Sequence, residues 1–464
     1  MTSRFFSRTG SGTASDARRR ARVIVWAAGG AVALGFMAAL EIAARRYGLP
    51  GPIAHQAREA IFAPASGPLL YASMALMLVV LTWRRRFIAI GAAAAIDIAF
   101  ALVRWAVDAD QGYGNGALWV ILGCAVLAVT RRSGPERVLL LKGVGLGLLL
   151  VAGRKTGDTW LLITSKTRPE VLDQYVAAAD NALGSPSWLV GRLVAATGPA
   201  GAGFLDWVYV KLAVAAVVVA VWQLRHVAAE GRFPRHHLVR TFLLIGLLGP
   251  GIYMIFPVVG PVFAYGPDGG QWAVANLWPE TLPRITDPVH MPFDEITPRN
   301  CMPSLHTAWA VVIFIHSRKG PRPLRLAGTL WLIATLAATL GFGYHYGVDL
   351  VAGVVFTLTI EAALRAHDRG WERAGVLLVL HGAVVFTAFL VSYRYLSMEM
   401  AGHPWVSGPL LILAMVSVIH LYVRTTRRWD AQPAPAPPPV EQRTDPVRPE
   451  LSSAETAGGT AKRP

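Results

Sequence analysis

Two histidines and an aspartate, spread over two short stretches about forty residues apart, are the side chains best suited to chemistry in this chain. The first stretch is Arg299-Asn300-Cys301-Met302-Pro303-Ser304-Leu305-His306, and the second is Gly343-Tyr344-His345-Tyr346-Gly347-Val348-Asp349. His345 and Asp349 stand four residues apart at the start of an apolar run, so a helix presents them on one face. Asp349 then accepts a hydrogen bond from one ring nitrogen of His345, fixes the tautomer and leaves the other nitrogen with a lone pair. A neutral imidazole, with an ordinary pKa near about 6.5, can attack phosphorus at neutral pH without a metal. His306, when protonated, can give its proton to the leaving oxygen.

The elements that carry these residues follow from the flanking sequence. Pro303 suits the first turn of a helix, so the helix of the first stretch is expected to begin there, with Asn300 or Cys301 near its cap. Its free amides and dipole favour an anion, and Ser304 adds a hydroxyl donor. With Ser304 and Asn300, Arg299 is the expected phosphate-binding group. Lys211 and Arg284 are further candidate cations at the same face. Each stretch alone also reads as an ordinary helix terminus. Their meeting at one membrane face is what points to phosphoryl transfer.

The chain has 464 residues, of which 54% are hydrophobic and only 16% charged, against about 25% charged in an average soluble domain. The deficit falls on repeated apolar runs of spanning length. We expect an all-α, polytopic integral membrane protein with about twelve transmembrane helices, near 22–43, 68–83, 87–107, 117–130, 138–153, 204–224, 238–257, 303–317, 324–343, 347–366, 374–392 and 407–423. Residues 1–21 and 424–464 read as disordered, 22–153 as a five-span region of unknown role, 154–203 as an extracytoplasmic or interfacial segment, and 204–423 as the catalytic membrane core with two further spans. Within 154–203, Leu172, Tyr175, Val176, Ala179 and Leu183 have the spacing of a helix lying along the interface. Trp272 and Trp278 suit the headgroup layer.

Alternate loops hold about 30 and about 11 Lys and Arg residues, and the positive-inside rule makes the richer set cytoplasmic. Both termini are then cytoplasmic, and His306, His345 and Asp349 lie at the extracytoplasmic face of the cell membrane. The net charge of +16 is spread over these loops, where it sets topology and meets anionic lipid, so nucleic acid is not an expected partner. Cys124 and Cys301 lie in different settings, which predicts neither a disulfide nor a zinc site. Asp97 and Arg104, seven residues apart in one run, are expected to pair. Lys142 and Glu361 are expected to snorkel, and His316, His381 and His420 to pack.

The two stretches resemble the second and third signature motifs of the type-2 phosphatidic acid phosphatase superfamily. The details Cys-Met-Pro-Ser-Leu-His-Thr-Ala-Trp and Tyr-His-Tyr-Gly-Val-Asp-Leu-Val-Ala-Gly resemble its inositol phosphorylceramide synthase branch, and Tyr253, Phe256, Pro257 and Pro261 resemble an upstream segment of that branch. The phosphatase branch has Gly where Leu305 stands and an Arg where Thr339 stands. The superfamily's first motif, Lys-x6-Arg-Pro, is not recognisable. The resemblance, over roughly residues 170 to 366, implies a six-helix phosphatidic-acid-phosphatase-like core. It also implies a phosphohistidine on His345, an orienting Asp349 and a general acid in His306. The implied substrate is a lipid phosphate or phospholipid donor, resolved by a lipid or alcohol acceptor or by water, with no cofactor and no metal. A secondary transporter of twelve spans is the alternative from another class. Against it stand the lack of a repeat between halves and a constellation at one face instead of the midplane.

Overall fold

The computed structural model describes residues 11–54, 67–108, 114–266 and 287–432. Among these residues the chain is helical, with one short strand pair. The first part comprises α1 (Ser11–Arg46), α2 (Gly67–Leu78), α3 (Trp83–Ala106), α4 (Gly116–Arg131) and α5 (Gly134–Thr167). Then come β1 (Glu170–Val171), α6 (Asp173–Asn181), α7 (Pro186–Ala196), α8 (Gly198–Val210), α9 (Leu212–Gln223), α10 (Val227–Glu230), α11 (Leu238–Ile255) and α12 (Pro261–Tyr265). After β2 (Val289–His290) follow α13 (Leu305–Ser317), α14 (Arg322–Gly341), α15 (Gly347–Asp368), α16 (Arg373–Tyr395), α17 (Ser397–Gly402) and α18 (Pro404–Ala431).

Eight helices are long and apolar enough to cross a membrane, and Leu69–Leu78, Gly116–Arg131 and Leu305–Ser317 are shorter apolar helices. This is an integral membrane protein of the all-helical kind. α15 is its central post: 78% of its apolar window is buried within the protein, against 11–39% for the other spanning helices. It packs on α13, α16 and α18, and α13 packs in turn on α11 and α14. Close packing at the head of α15 depends on Gly353, where a Cβ would run into the Ser304 carbonyl.

Several expectations change. The helix expected to end at residue 153 runs on, because α5 continues for 34 residues. At 1.5 Å per residue that is about 51 Å, beyond a hydrocarbon core of about 30 Å. Arg154, Lys155 and Asp158 interrupt the hydropathy there without breaking the helix. The segment with interfacial spacing is not laid along a surface. Every residue of α6 from Asp173 to Asp180 is buried, because its two carboxylates bond backbone amides of neighbouring loops. The polar residues from Ser11 onward belong to α1, and α18 runs on to Ala431. The rest of both tails, together with Trp272, Trp278 and Arg284, lies outside the described residues.

Asp97 accepts the Tyr71 hydroxyl at 2.5 Å and the Gly116 amide at 2.8 Å, tying three helices of the N-terminal part together. Glu361 does not snorkel: it is 1% exposed and faces His236, His316 and Thr241. His316 therefore has a partner that motif spacing does not reveal.

Candidate active site

The helix of the first stretch starts later than expected. Ser304 is the N-cap of α13, and its hydroxyl accepts the Thr307 amide at 3.3 Å. A serine oxygen at this position satisfies an amide that would otherwise have no partner. Pro303 lies just outside the helix, and its carbonyl accepts the Tyr253 hydroxyl at 3.2 Å. Residues 300 and 301 precede the cap, and the Cys301 amide bonds the Val258 carbonyl at 3.0 Å. Asn300, half-buried, stands beside it.

The second stretch is clamped by α6 and α7. Asp180 accepts the Val348 amide at 2.9 Å, Ser187 donates to the His345 carbonyl at 2.6 Å, and Asp173 accepts the Tyr346 hydroxyl at 2.9 Å. Asp173 also holds the amides of Val259 and Gly260 at 3.0 and 2.9 Å. Gly260 has φ +98°, and a Cβ there would strike the Tyr344 carbonyl, so this approach requires glycine. Val262 donates to the Gly343 carbonyl at 2.9 Å and closes the cradle.

The two stretches meet. The Ser304 amide bonds the Asp349 carbonyl at 3.2 Å, joining the head of α13 to the first turn of α15. The Asp349 carboxylate reaches back to the Tyr346 amide at 2.8 Å, the reciprocal bond of a capping box. Its Oδ2 also lies 3.5 Å from Nδ1 of His345 and 2.6 Å from the Cys301 sulfur, and that sulfur is 3.3 Å from the same ring nitrogen. Asp349 Oδ1 is buried without a partner. Burial takes the His345 ring down to about 3, so it is neutral and has a lone pair to offer.

His306 follows Ser304 by two residues. Its ring stacks on Tyr209 with centroids 3.9 Å apart and planes 16° from parallel, and Tyr209 in turn lies 5.2 Å from Tyr344. His306 and His345 are close enough for a charge on one ring to act on the other, and Arg154 of α5 is within the same range of His306.

The expected cations are differently placed. Arg299 is completely buried. Its guanidinium donates to the carbonyls of Thr297 at 2.8 Å, Met291 at 2.7 Å, Pro292 at 3.3 Å and Arg168 at 3.4 Å. It fastens the loop that ends in the β1–β2 pair, where Glu170 faces His290. Lys211 occupies the break between α8 and α9, two residues beyond Tyr209. Thr339 is buried, with its hydroxyl on the Thr335 carbonyl at 2.5 Å.

Two groups of three potential metal ligands occur among the described residues: Cys301, His345 and Asp349, and His236, His316 and Glu361. In the first, burial pushes the Cys301 thiol up, which favours the form with its proton on sulfur. In the second, Gln223 decides. Its oxygen accepts the Leu238 amide at 3.0 Å, so its nitrogen donates to Nδ1 of His316 at 2.9 Å. The His316 proton is then on Nε2, 3.3 Å from Glu361 Oε1 but without hydrogen-bond geometry to it, and no lone pair is left there for an ion. With His236 at 2.6 Å and Thr241 at 2.5 Å on the same carboxylate, the group is a polar staple that hydrogen-bonds α11 to α15 and sets His316 of α13 beside them.

Sequence reasoning named the two histidines and Asp349 but missed Asp173, Asp180, Ser187, Tyr209 and the Cys301 thiol as their supports. Comparison with known families matches residues 174–363 to the PAP2 superfamily and residues 24–163 to a domain of unknown function (DUF5933). No curated protein and no solved structure matches the chain.

Proposed function

We propose that this protein transfers a phosphoryl or phospho-headgroup unit of a membrane lipid, with His345 as nucleophile, Asp349 as the carboxylate behind it and His306 as general acid. The observation that carries this reading is the junction of the two motifs, in which the Ser304 amide meets the Asp349 carbonyl at 3.2 Å. The PAP2 match over residues 174–363 supports a lipid phosphate as substrate.

In the proposed reaction a ring nitrogen of His345 forms a bond to phosphorus as the ester P–O bond breaks, and His306 gives its proton to the departing oxygen. The substrate's own negative charge favours the protonated form of His306. An alcohol or water then attacks the phosphohistidine, surrenders its proton to His306 and frees His345. Asp349 stabilises the ring while it is positively charged. Ser304 and the free amides at the head of α13 face the phosphate, and Asn300 stands beside them.

Loop charges support cytoplasmic termini and an extracytoplasmic site, reached sideways from the outer leaflet. The details around His306 and His345 favour the branch of inositol phosphorylceramide synthases, with an alcohol as acceptor. The test is purified full-length protein in detergent with EDTA, offered phosphatidic acid, a polyprenyl phosphate, or phosphatidylinositol with ceramide. Release of phosphate or exchange of headgroup is expected, and His345→Ala abolishes it. Wild-type rates in that variant, or no turnover on any of these lipids, would remove the assignment.

A further inference from the structure

Between the carboxylate of Asp349 and the ring of His345 stands a third group. Cys301 Sγ is 2.6 Å from Asp349 Oδ2 and 3.3 Å from His345 Nδ1. Nδ1 and Oδ2 are themselves 3.5 Å apart, long for a hydrogen bond, and Oδ2 already takes the Tyr346 amide at 2.8 Å. We propose that Cys301 is a positioning residue, whose thiol donates to Asp349 and accepts the Nδ1 proton of His345, so that the carboxylate orients the imidazole through sulfur. This rests on the phosphoryl-transfer reading above and deepens it.

The donor order follows from counting protons. A thiol has one proton, and three acceptors lie within 3.3 Å: Asp349 Oδ2, the Tyr344 carbonyl and His345 Nδ1. The carboxyl oxygen is the nearest of the three, at 2.6 Å against 3.3 Å for the others, so it takes the proton. Sulfur then presents lone pairs to Nδ1, which must be the protonated nitrogen. Nε2 is left with the lone pair and becomes the nitrogen that bonds phosphorus. No proton changes hands in the support: when the ring turns cationic, the Nδ1–H bond to sulfur and the S–H bond to Asp349 both shorten. Burial works in the same direction, since a completely enclosed thiol resists ionisation. The position is fixed from behind as well, by the Cys301 amide on the Val258 carbonyl at 3.0 Å.

The experiment compares Cys301→Ser, Cys301→Ala, Asp349→Asn and the Cys301→Ala/Asp349→Asn double variant in the full-length protein, with thermal unfolding alongside turnover. Serine restores a donor and an acceptor, and it is expected to keep kcat within about tenfold of wild type. Alanine is expected to lower kcat by at least about tenfold, with KM and the unfolding temperature little changed. In the double variant, loss of the thiol should add less than about threefold to the effect of Asp349→Asn, because both act through one bond chain. Full multiplication of the two effects would overturn the relay, as would wild-type kcat in Cys301→Ala. If Cys301→Ala unfolds, the serine variant decides: a loss as deep as that of His345→Ala in a folded protein would also overturn it. Turnover that survives in His345→Ala fails the phosphoryl-transfer reading itself, a separate outcome.

Discussion

Asp180 Oδ1 accepts the Val348 amide at 2.9 Å, across 168 residues of chain, and so fixes the first turn of the helix on which Asp349 stands. The carboxylate is completely buried, and its second oxygen has no partner. Asp349 stands near enough for its charge to oppose another here. Burial, with Asp349 adding to it, takes Asp180 up to about 8, so the folded protein keeps a proton there at pH 7.

That proton makes stability depend on pH in an unusual direction. The folded value lies above the unfolded one of 3.8, so the contribution is complete below about pH 4 and is lost as pH rises through about 8. Asp173, raised by burial to about 6, adds a similar slope at lower pH, so Asp180 is read from the difference between wild type and variant over the interval from 6 to 8. Asp180→Asn keeps the acceptor for the Val348 amide and cannot ionise. Thermal unfolding in detergent should show wild-type stability falling between pH 6 and 8 and a flatter curve in the variant. Equal slopes would mean that Asp180 is ionised throughout.

A phosphate held at His306 would feel the charge of Arg154. Its Nε lies 2.9 Å from both oxygens of Asp158, one turn further up α5, on a half-exposed ion pair. Such pairs contribute well under about 1 kcal/mol, so a phosphate can displace Asp158 at little cost. α5 packs on α11 through Trp160 against Gly251, and α11 packs on α13 through Gly249 against Leu305, next to His306. Arg154→Ala should raise the inhibition constant for inorganic phosphate roughly tenfold, about 1.4 kcal/mol, and Arg154→Lys should recover part of it. Inhibition by phosphate that is unchanged in both variants would leave Arg154 as an interfacial residue. A positive result would give the region matched to DUF5933 a part in a site otherwise built from residues 174–363.

How much of this was legible in the chain depends on the range of each contact. His345 and Asp349 are four residues apart, and although His345 precedes the Tyr346 cap instead of sharing a helix face with Asp349, the turn that joins them is local, so their type and spacing were enough. Ser304 and His306 were legible for the same reason, although the cap fell on Ser304 instead of Asn300 or Cys301. The supports of these residues come from far along the chain: Asp173 bonds Tyr346 across 173 residues, and Ser187 bonds His345 across 158. No periodicity records such a contact. Hydropathy misled in one consistent way, because it marks where charge begins and not where a helix ends. That is why α5 runs past residue 153 and why Glu361 looked like a membrane-surface residue.

Glu361 provides a separation between fold and chemistry. It stands twelve residues below Asp349 on α15, about 18 Å along the axis, and collects His236 at 2.6 Å, Thr241 at 2.5 Å and His316 at 3.3 Å. Glu361→Gln removes the charge from these bonds and places an amide against two ring N–H groups. Losing charge-assisted bonds at a buried site costs roughly 1.5–3 kcal/mol. The unfolding temperature should fall, while KM for lipid and the kcat of the folded fraction stay within about twofold of wild type. A large kcat loss at unchanged stability would tie this staple to the reaction.

Thr339 is where the resemblance breaks most visibly, since the phosphatase branch has arginine at that position. Restoring the arginine looks like a direct way to add a phosphate-binding cation. The packing argues otherwise. Thr339 is 0% exposed on α14, its hydroxyl bonds the Thr335 carbonyl at 2.5 Å, and Ala338, Gly341 and Phe342 around it are also buried. α14 lies close against α7 and α8 here, with Val194 beside Gly341. An arginine would need space for a guanidinium and three methylenes and bonds for five N–H groups, and the described surroundings supply neither. Overpacking together with a buried, unmatched cation costs at least about 3 kcal/mol. Thr339→Arg should therefore lower the yield of folded protein and its unfolding temperature, with no gain in phosphate release per folded molecule. A stable variant with faster hydrolysis would show that α14 can yield at this point and that the site accepts a cation from it.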